Sequence, residues 1–118
     1  MYSLKKKFSI IIPILNEKKN IPILVDRIEN SLNKFNYEII FVDDNSKDGS
    51  DKILYLLSKK NSNLKYLIRK NKKKDLSQSC LDGIKKATSE IIIIMDGDLQ
   101  HDPKNIKKKG NFLNRLIF

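Results

Sequence analysis

Apolar residues fall in four runs of strand length: Phe8–Ile14, residues 37–42 (YEIIFV), Leu64–Ile68 and residues 90–95 (EIIIIM). They are rich in isoleucine and aromatic residues and too short for helices, as expected of strands buried on both faces. Between them the apolar spacing changes to that of a helix. Ile21, Leu24, Val25, Ile28 and Leu32 predict one helix, Ile53, Leu54, Leu56 and Leu57 a second, and Leu76, Cys80, Ile84 and Ala87 a third. Asn20 is the expected N-cap of the first, with Pro22 in its first turn. Residues 45–50 (NSKDGS) are dense in turn and capping types, so the second helix begins at Ser50 or Asp51. Residues 69–75 (RKNKKKD) read as a solvated basic loop, and Asp102 and Pro103 as the start of a last short helix. The β-α-β-α-β-α-β order predicts one α/β domain, a parallel sheet of about four strands with helices on both faces.

In a parallel sheet the C-terminal ends of all strands lie along one edge. The first strand would deliver Pro13, Leu15, Asn16 and Glu17 there; the second, Asp43 and Asp44; the fourth, Asp96, Asp98 and Gln100. Each acidic pair alone commonly does no more than cap a loop or helix. Two acidic strand ends on one edge repel each other unless a cation or hydrogen-bond donors offset them. With Gly97 between them, Asp96 and Asp98 can converge on a hard cation where the chain turns.

Composition narrows the field. The 118 residues suffice for one small core, and 40% hydrophobic with 32% charged residues is the balance of a folded domain. The net charge is +10, yet only Arg27, Arg69 and Arg115 of the 24 basic residues are arginine. Nucleic-acid and phosphate clamps lean on arginine forks, so the charge reads as lysine surface and no nucleic-acid partner is expected. Cys80 is the single cysteine, which excludes a disulfide framework; it reads as a small core residue. Lysines 5–7 precede an apolar run, but Pro13, the polar residues 16–19 and the lack of a small-residue cleavage site argue against a signal peptide. No apolar stretch reaches the ~18 residues of a membrane span.

Three segments carry a resemblance: IIIPILNEKKNIPILV at 10–25, YEIIFVDDNSKDGS at 37–50 and ATSEIIIIMDGDLQHDP at 87–103. They resemble the nucleotide-sugar-binding half of family 2 glycosyltransferases with the GT-A fold, in particular the dolichyl- and polyprenyl-phosphate mannosyl- and glucosyltransferases. The resemblance implies transfer of a hexose from GDP-mannose or UDP-glucose to a polyprenyl or dolichyl phosphate, with Mg2+ or Mn2+ as cofactor. Carried over by position, Pro13, Leu15 and Glu17 would line the nucleotide pocket, and Val42 with Asp43 or Asp44 would contact base and ribose. Asp96, Gly97 and Asp98 would sit at the diphosphate. Asp98 and Gln100, together with Asp96, would hold the metal, and Asp96 and Asp98 would carry the catalytic role. His101 is expected beside the metal loop without acting as a base.

Leu15 stands where the group often has an aromatic residue, and residues 73–77 (KKDLS) replace a glycine-rich turn, while Gly83 keeps a family glycine. Residues 1–106 are expected to form the donor-binding domain and 107–118 a divergent tail, because members of the family continue with strands that bind the acceptor. The expectation is a truncated enzyme, cytoplasmic and peripheral at the cytoplasmic face of a membrane. The alternative is a catalytically inactive nucleotide-sugar-binding fragment.

Overall fold

A computed structural model describes residues 7–70 and 72–97. The elements are β1 (Phe8–Ile14), α1 (Asn20–Leu32), β2 (Tyr37–Asp43), α2 (Ser50–Lys60), β3 (Leu64–Ile68), α3 (Leu76–Lys86) and β4 (Ile91–Ile94). All strand pairs are parallel, in the order β3-β2-β1-β4. β1 and β2 are therefore central. Every residue of β2 is buried, which is why the strand reads as an unbroken apolar run instead of alternating.

The pleat sends alternate residues to opposite faces. Ile10, Ile12, Ile14, Ile39 and Phe41 pack with Leu24, Ile28 and Leu32 of α1 and Leu54 of α2. Ile11, Ile40, Val42 and Ile92 form a smaller layer with Ile84 of α3 and Ala87. A Cβ on Gly83 would meet Ile11 Cγ2 at 2.6 Å and Val42 Cγ2 at 2.8 Å, so glycine here lets α3 lie close on the sheet.

Some local expectations change. Asn20 is the first helical residue of α1, not its cap; Lys19 occupies the cap position with helical angles and no side-chain bond. The Glu17 carbonyl takes the first amides instead, from Asn20 at 2.9 Å and Ile21 at 3.2 Å. Ala87 lies past the end of α3, its N–H donating to the Ile84 carbonyl at 3.0 Å. Cys80 is half-buried, not a core residue, and partial burial pushes its thiol up. β4 is shorter than its apolar run, although the Met95 amide still bonds the Ile11 carbonyl at 2.9 Å. The helix expected at Asp102 and Pro103 lies outside the described residues.

The apolar reading of β2 also hid a buried charge. Glu38 is only 2% exposed at the N-terminal edge of the sheet. Its Oε2 accepts from Ser9 Oγ at 2.5 Å, the Thr88 amide at 2.8 Å and Thr88 Oγ1 at 3.0 Å, and its Oε1 faces Lys65 Nζ at 2.8 Å. Burial pushes the Glu38 carboxyl up, but these donors outweigh it and hold the group at about 2, below its ordinary 4.5. A depressed pKa contributes stability that is fully present above 4.5 and lost as pH falls through 2. The shift corresponds to about 3 kcal/mol. Urea unfolding of Glu38→Gln followed against pH should lack this acid-sensitive portion, and a slope unchanged from the parent chain would contradict the role given to Glu38.

Candidate functional site

β1, β2 and β4 end together at one cleft of about 340 Å³. Pro13, Ile14, Leu15 and Glu17 line it from β1 and the turn after it, Asp44 from just past β2, and Asp96 and Gly97 from just past β4. Lys74, Asp75, Leu76 and Ser79, at the start of α3, complete the wall. The volume is at the lower end of the range for ligand pockets.

Two loops zip together to shape the cleft's outer side. Asn16 is left-handed (φ 55°), a conformation asparagine tolerates better than most residues. Its amide donates to Ser46 Oγ at 2.7 Å, and its Oδ1 accepts from the Lys47 amide at 2.9 Å. The Lys18 amide donates to Asp48 Oδ2 at 3.0 Å. The Asp44 amide reaches the Ile14 carbonyl at 3.0 Å, extending the β1–β2 register into the loop. The polar residues after both strands thus hold each other, which fixes where Leu15 and Glu17 stand.

The adjacent aspartates of β2 part company. Asp43 is 1% exposed and does not line the cleft. Its Oδ1 accepts from the Ser46 amide at 3.2 Å and from Ser46 Oγ, and burial pushes its carboxyl up. Val42 is likewise fully buried, its side chain under α3 and not in the cleft. Asp44, the first residue past β2, is the one that reaches the cleft. Its Oδ1 accepts from Arg69 at 2.7 Å and its Oδ2 from the Asp75 amide at 2.9 Å.

Arg69 corrects the expectation of a solvated loop at its first residue. It is 3% exposed and forms the floor beneath the cleft wall. Its Nε donates to Asp82 Oδ2 at 2.9 Å, and one terminal nitrogen to Asp44, at 3.2 Å to Ser79 Oγ and at 3.4 Å to the carbonyls of Lys73 and Asp75. The Gln78 side chain, whose Nε2 donates to Asp82 Oδ1 at 2.9 Å, and after it Arg69 hold the Asp82 carboxyl below the usual carboxylate range. Asp75 in turn caps α3, its Oδ1 accepting from the Gln78 amide at 3.1 Å. Arg69 therefore ties the end of β3, the cap of α3 and the cleft aspartate into one unit. A signal for it was present: it directly follows a strand in a parallel sheet, the same position that singled out the aspartates.

Gly97 follows from close approach. A Cβ there would meet Ile14 Cγ2 at 2.6 Å and the Pro13 carbonyl at 3.2 Å, so glycine lets the exit of β4 press against the exit of β1. This seats Asp96, which is exposed, at the cleft. Asp98, Gln100 and His101 lie outside the described residues. Among the described residues no three histidine, cysteine, aspartate or glutamate side chains gather as a metal cage. The donors at this edge are carboxylate oxygens, and they fit Mg2+ or Mn2+ in the way such ions usually bind, through one or two carboxylates with phosphate and water completing the shell. Lys74 brings one ammonium to the wall at the start of α3, where the Asp75 carboxylate caps the helix. Apolar Pro13 and Leu15 beside several carboxylates and one lysine suit a polar ligand whose negative charge a divalent cation offsets.

The family model described as glycosyl transferase family 2 matches residues 9–115. The dolichol-phosphate mannosyltransferase of Pyrococcus furiosus is 42% identical over 102 residues, covering 86% of this chain and 28% of that protein. The dolichol-phosphate mannosyltransferase of Saccharomyces cerevisiae is 35% identical over 115 residues, covering 95% of this chain and 43% of that protein. The chain thus spans less than half the length of either relative. Among solved structures, the mannosyltransferase PcManGT from Pyrobaculum calidifontis, in complex with GDP-Man and Mn2+, superposes with a TM-score of 0.67 at 22% identity, over 81% of this chain and 28% of that one. That likeness concerns the fold: a parallel sheet with helices, as in the GT-A enzymes.

Proposed function

This chain belongs to glycosyl transferase family 2, and from that premise we propose that it binds the nucleotide-sugar donor of a metal-dependent hexosyltransferase. The donor is a nucleoside-diphosphate hexose such as GDP-mannose or UDP-glucose, and the acceptor a polyprenyl or dolichyl phosphate. Residues 1–106 form the donor-binding unit, working as a peripheral protein at the cytoplasmic face of a membrane. Among the described residues no helix is long and apolar enough to cross one. The observation that carries the reading is the convergence of Pro13–Glu17, Asp44 and Asp96–Gly97 on one cleft edge. The names of the two relatives support the hexose and the lipid phosphate.

Pro13 and Leu15 offer an apolar wall to the base, without the stacking that an aromatic residue at 15 would add. Asp44, held by Arg69, presents a fixed carboxylate edge toward base and ribose. Asp96, Asp98 and Gln100 would hold Mg2+ or Mn2+. When bound, the ion would supply a Lewis acid to offset charge on a departing nucleoside diphosphate. Lys74 would add one positive charge beside the diphosphate. An acceptor phosphate is already ionised near neutral pH, so orientation and charge neutralisation suffice and His101 is given no role as a base.

Calorimetric titration of GDP-mannose and UDP-glucose in the presence of Mn2+ tests this reading. One of the two should bind, and a chelator should remove the binding. Binding indifferent to the chelator would overturn the metal assignment, and no binding of either donor would overturn the reading itself.

A further inference from the structure

On the far side of the edge strand from the donor cleft lies a second concavity, between α2 and β3. Asp51, Lys52, Tyr55 and Leu56 of α2, Tyr66 and Ile68 of β3, and Lys70 line it, with a volume of about 430 Å³. The heptad arithmetic of α2 accounts for its apolar content. Ile53, Leu54 and Leu57 point into the core, whereas Tyr55 and Leu56 turn outward and are 51% and 56% exposed. Two adjacent large apolar side chains left half in water on one helix are unusual for a purely solvated face. They are framed by ammonium groups: Lys52, Lys59, Lys60 and Lys70 are all exposed, and Lys59 Nζ sits 5.2 Å from the Tyr55 ring centroid. Asp51 is the one carboxylate on the rim. Lys65 is not counted, because its ammonium is engaged by Glu38.

We propose that this α2/β3 flank is the surface with which the protein settles on an anionic lipid bilayer. Tyrosine and leucine flanked by snorkelling lysines match the two layers of such a surface, an apolar acyl boundary beneath negatively charged headgroups. The charge is complementary, for the chain carries a net +10 built almost wholly of lysine, the point-charge form suited to diffuse headgroup attraction. Position agrees as well. α2 runs back antiparallel to the strands, so its first half, with Lys52 and Tyr55, stands near the C-terminal edge of the sheet, as do Ile68 and Lys70, and Leu56 follows at mid-helix. That edge also bears the donor cleft. Contact through this flank would hold the cleft beside the headgroup layer; this purpose, though not the geometry, rests on the lipid-phosphate acceptor proposed above.

Sedimentation with phosphatidylglycerol–phosphatidylcholine vesicles, compared with pure phosphatidylcholine vesicles, decides the matter. The parent chain should sediment with the anionic vesicles at low salt and much less with the neutral ones. Tyr55→Ser/Leu56→Ser and Lys52→Glu/Lys70→Glu should each lower partitioning by about tenfold or more. Both variants should keep the parent's circular dichroism and its titration with whichever of GDP-mannose and UDP-glucose it binds, which separates failure of this surface from failure of the donor site. Sedimentation of both variants equal to that of the parent, or equal binding to neutral vesicles, would overturn the proposal. So would salt-dependent RNA binding lost in the lysine variant alone, with no vesicle binding, since that points to a nucleic-acid surface.

Discussion

Arg69→Met should cost about 3–5 kcal/mol in urea-induced unfolding, the penalty for leaving a buried charge without its partner. Asp44 is 6% exposed and draws its charged partner from Arg69 at 2.7 Å. Methionine of similar length fills part of the space but donates nothing. The loss is a large share of the ~5–15 kcal/mol that a domain of this kind has in total. Arg69→Lys should recover only part of it, since an ammonium cannot reach Asp44, Asp82 and Ser79 together in the planar geometry of the guanidinium. A loss under about 1 kcal/mol for Arg69→Met would mean that the pair behaves like an exposed one and does not organise the cleft floor.

The second large effect concerns binding. Asp98→Ala should weaken metal-dependent nucleotide-sugar binding by at least about 100-fold, since even residues one shell out from a metal typically cost 10–100-fold. Asp96→Ala should behave in the same direction. Asp96 follows the last strand pairing and is exposed, so its loss should leave the unfolding midpoint nearly unchanged. Calorimetry in Mn2+ with unfolding as the control measures both quantities. Unchanged affinity in Asp98→Ala would remove that residue from the proposed metal set.

Much of the architecture was legible because the strands obey a simple rule. β1 and β2 are sandwiched between helices, so their sequences carry no polar alternation and announce themselves as buried. Parallel order then places Leu15, Glu17, Asp44 and Asp96 on one edge before any coordinate is known. Side-chain direction was harder to see. Asp43 and Asp44 are neighbours on a pleated chain, and the pleat with the following turn buries one and delivers the other to the cleft. Periodicity in so short a segment does not say which. Val42 was assigned to the pocket by position, yet the same alternation turns it under α3.

The remaining surprises are buried ions. Glu38 sits within an apolar run, and Arg69 sits between one and a lysine-rich loop. Their burial depends on partners distant in sequence, Thr88 and Ser9 for one, Asp44 and Asp82 for the other. Local pattern does not name these partners, although the place of Arg69 directly after β3 marked it as a residue of the C-terminal edge. The start of α1 went astray for a related reason: Glu17 supplies its carbonyl to the first amides, a backbone solution that leaves Asn20 free to be helical.

The donor cleft is tested most directly by amide chemical-shift mapping of the isotope-labelled chain as GDP-mannose or UDP-glucose is added with Mg2+. The largest changes are expected at Leu15, Glu17, Asp44, Asp75, Ser79 and Gly97, with Tyr55 and Leu56 on the opposite flank unmoved. Saturable changes confined to that flank, or none around the cleft, would contradict the placement of the nucleotide sugar at this edge of the sheet.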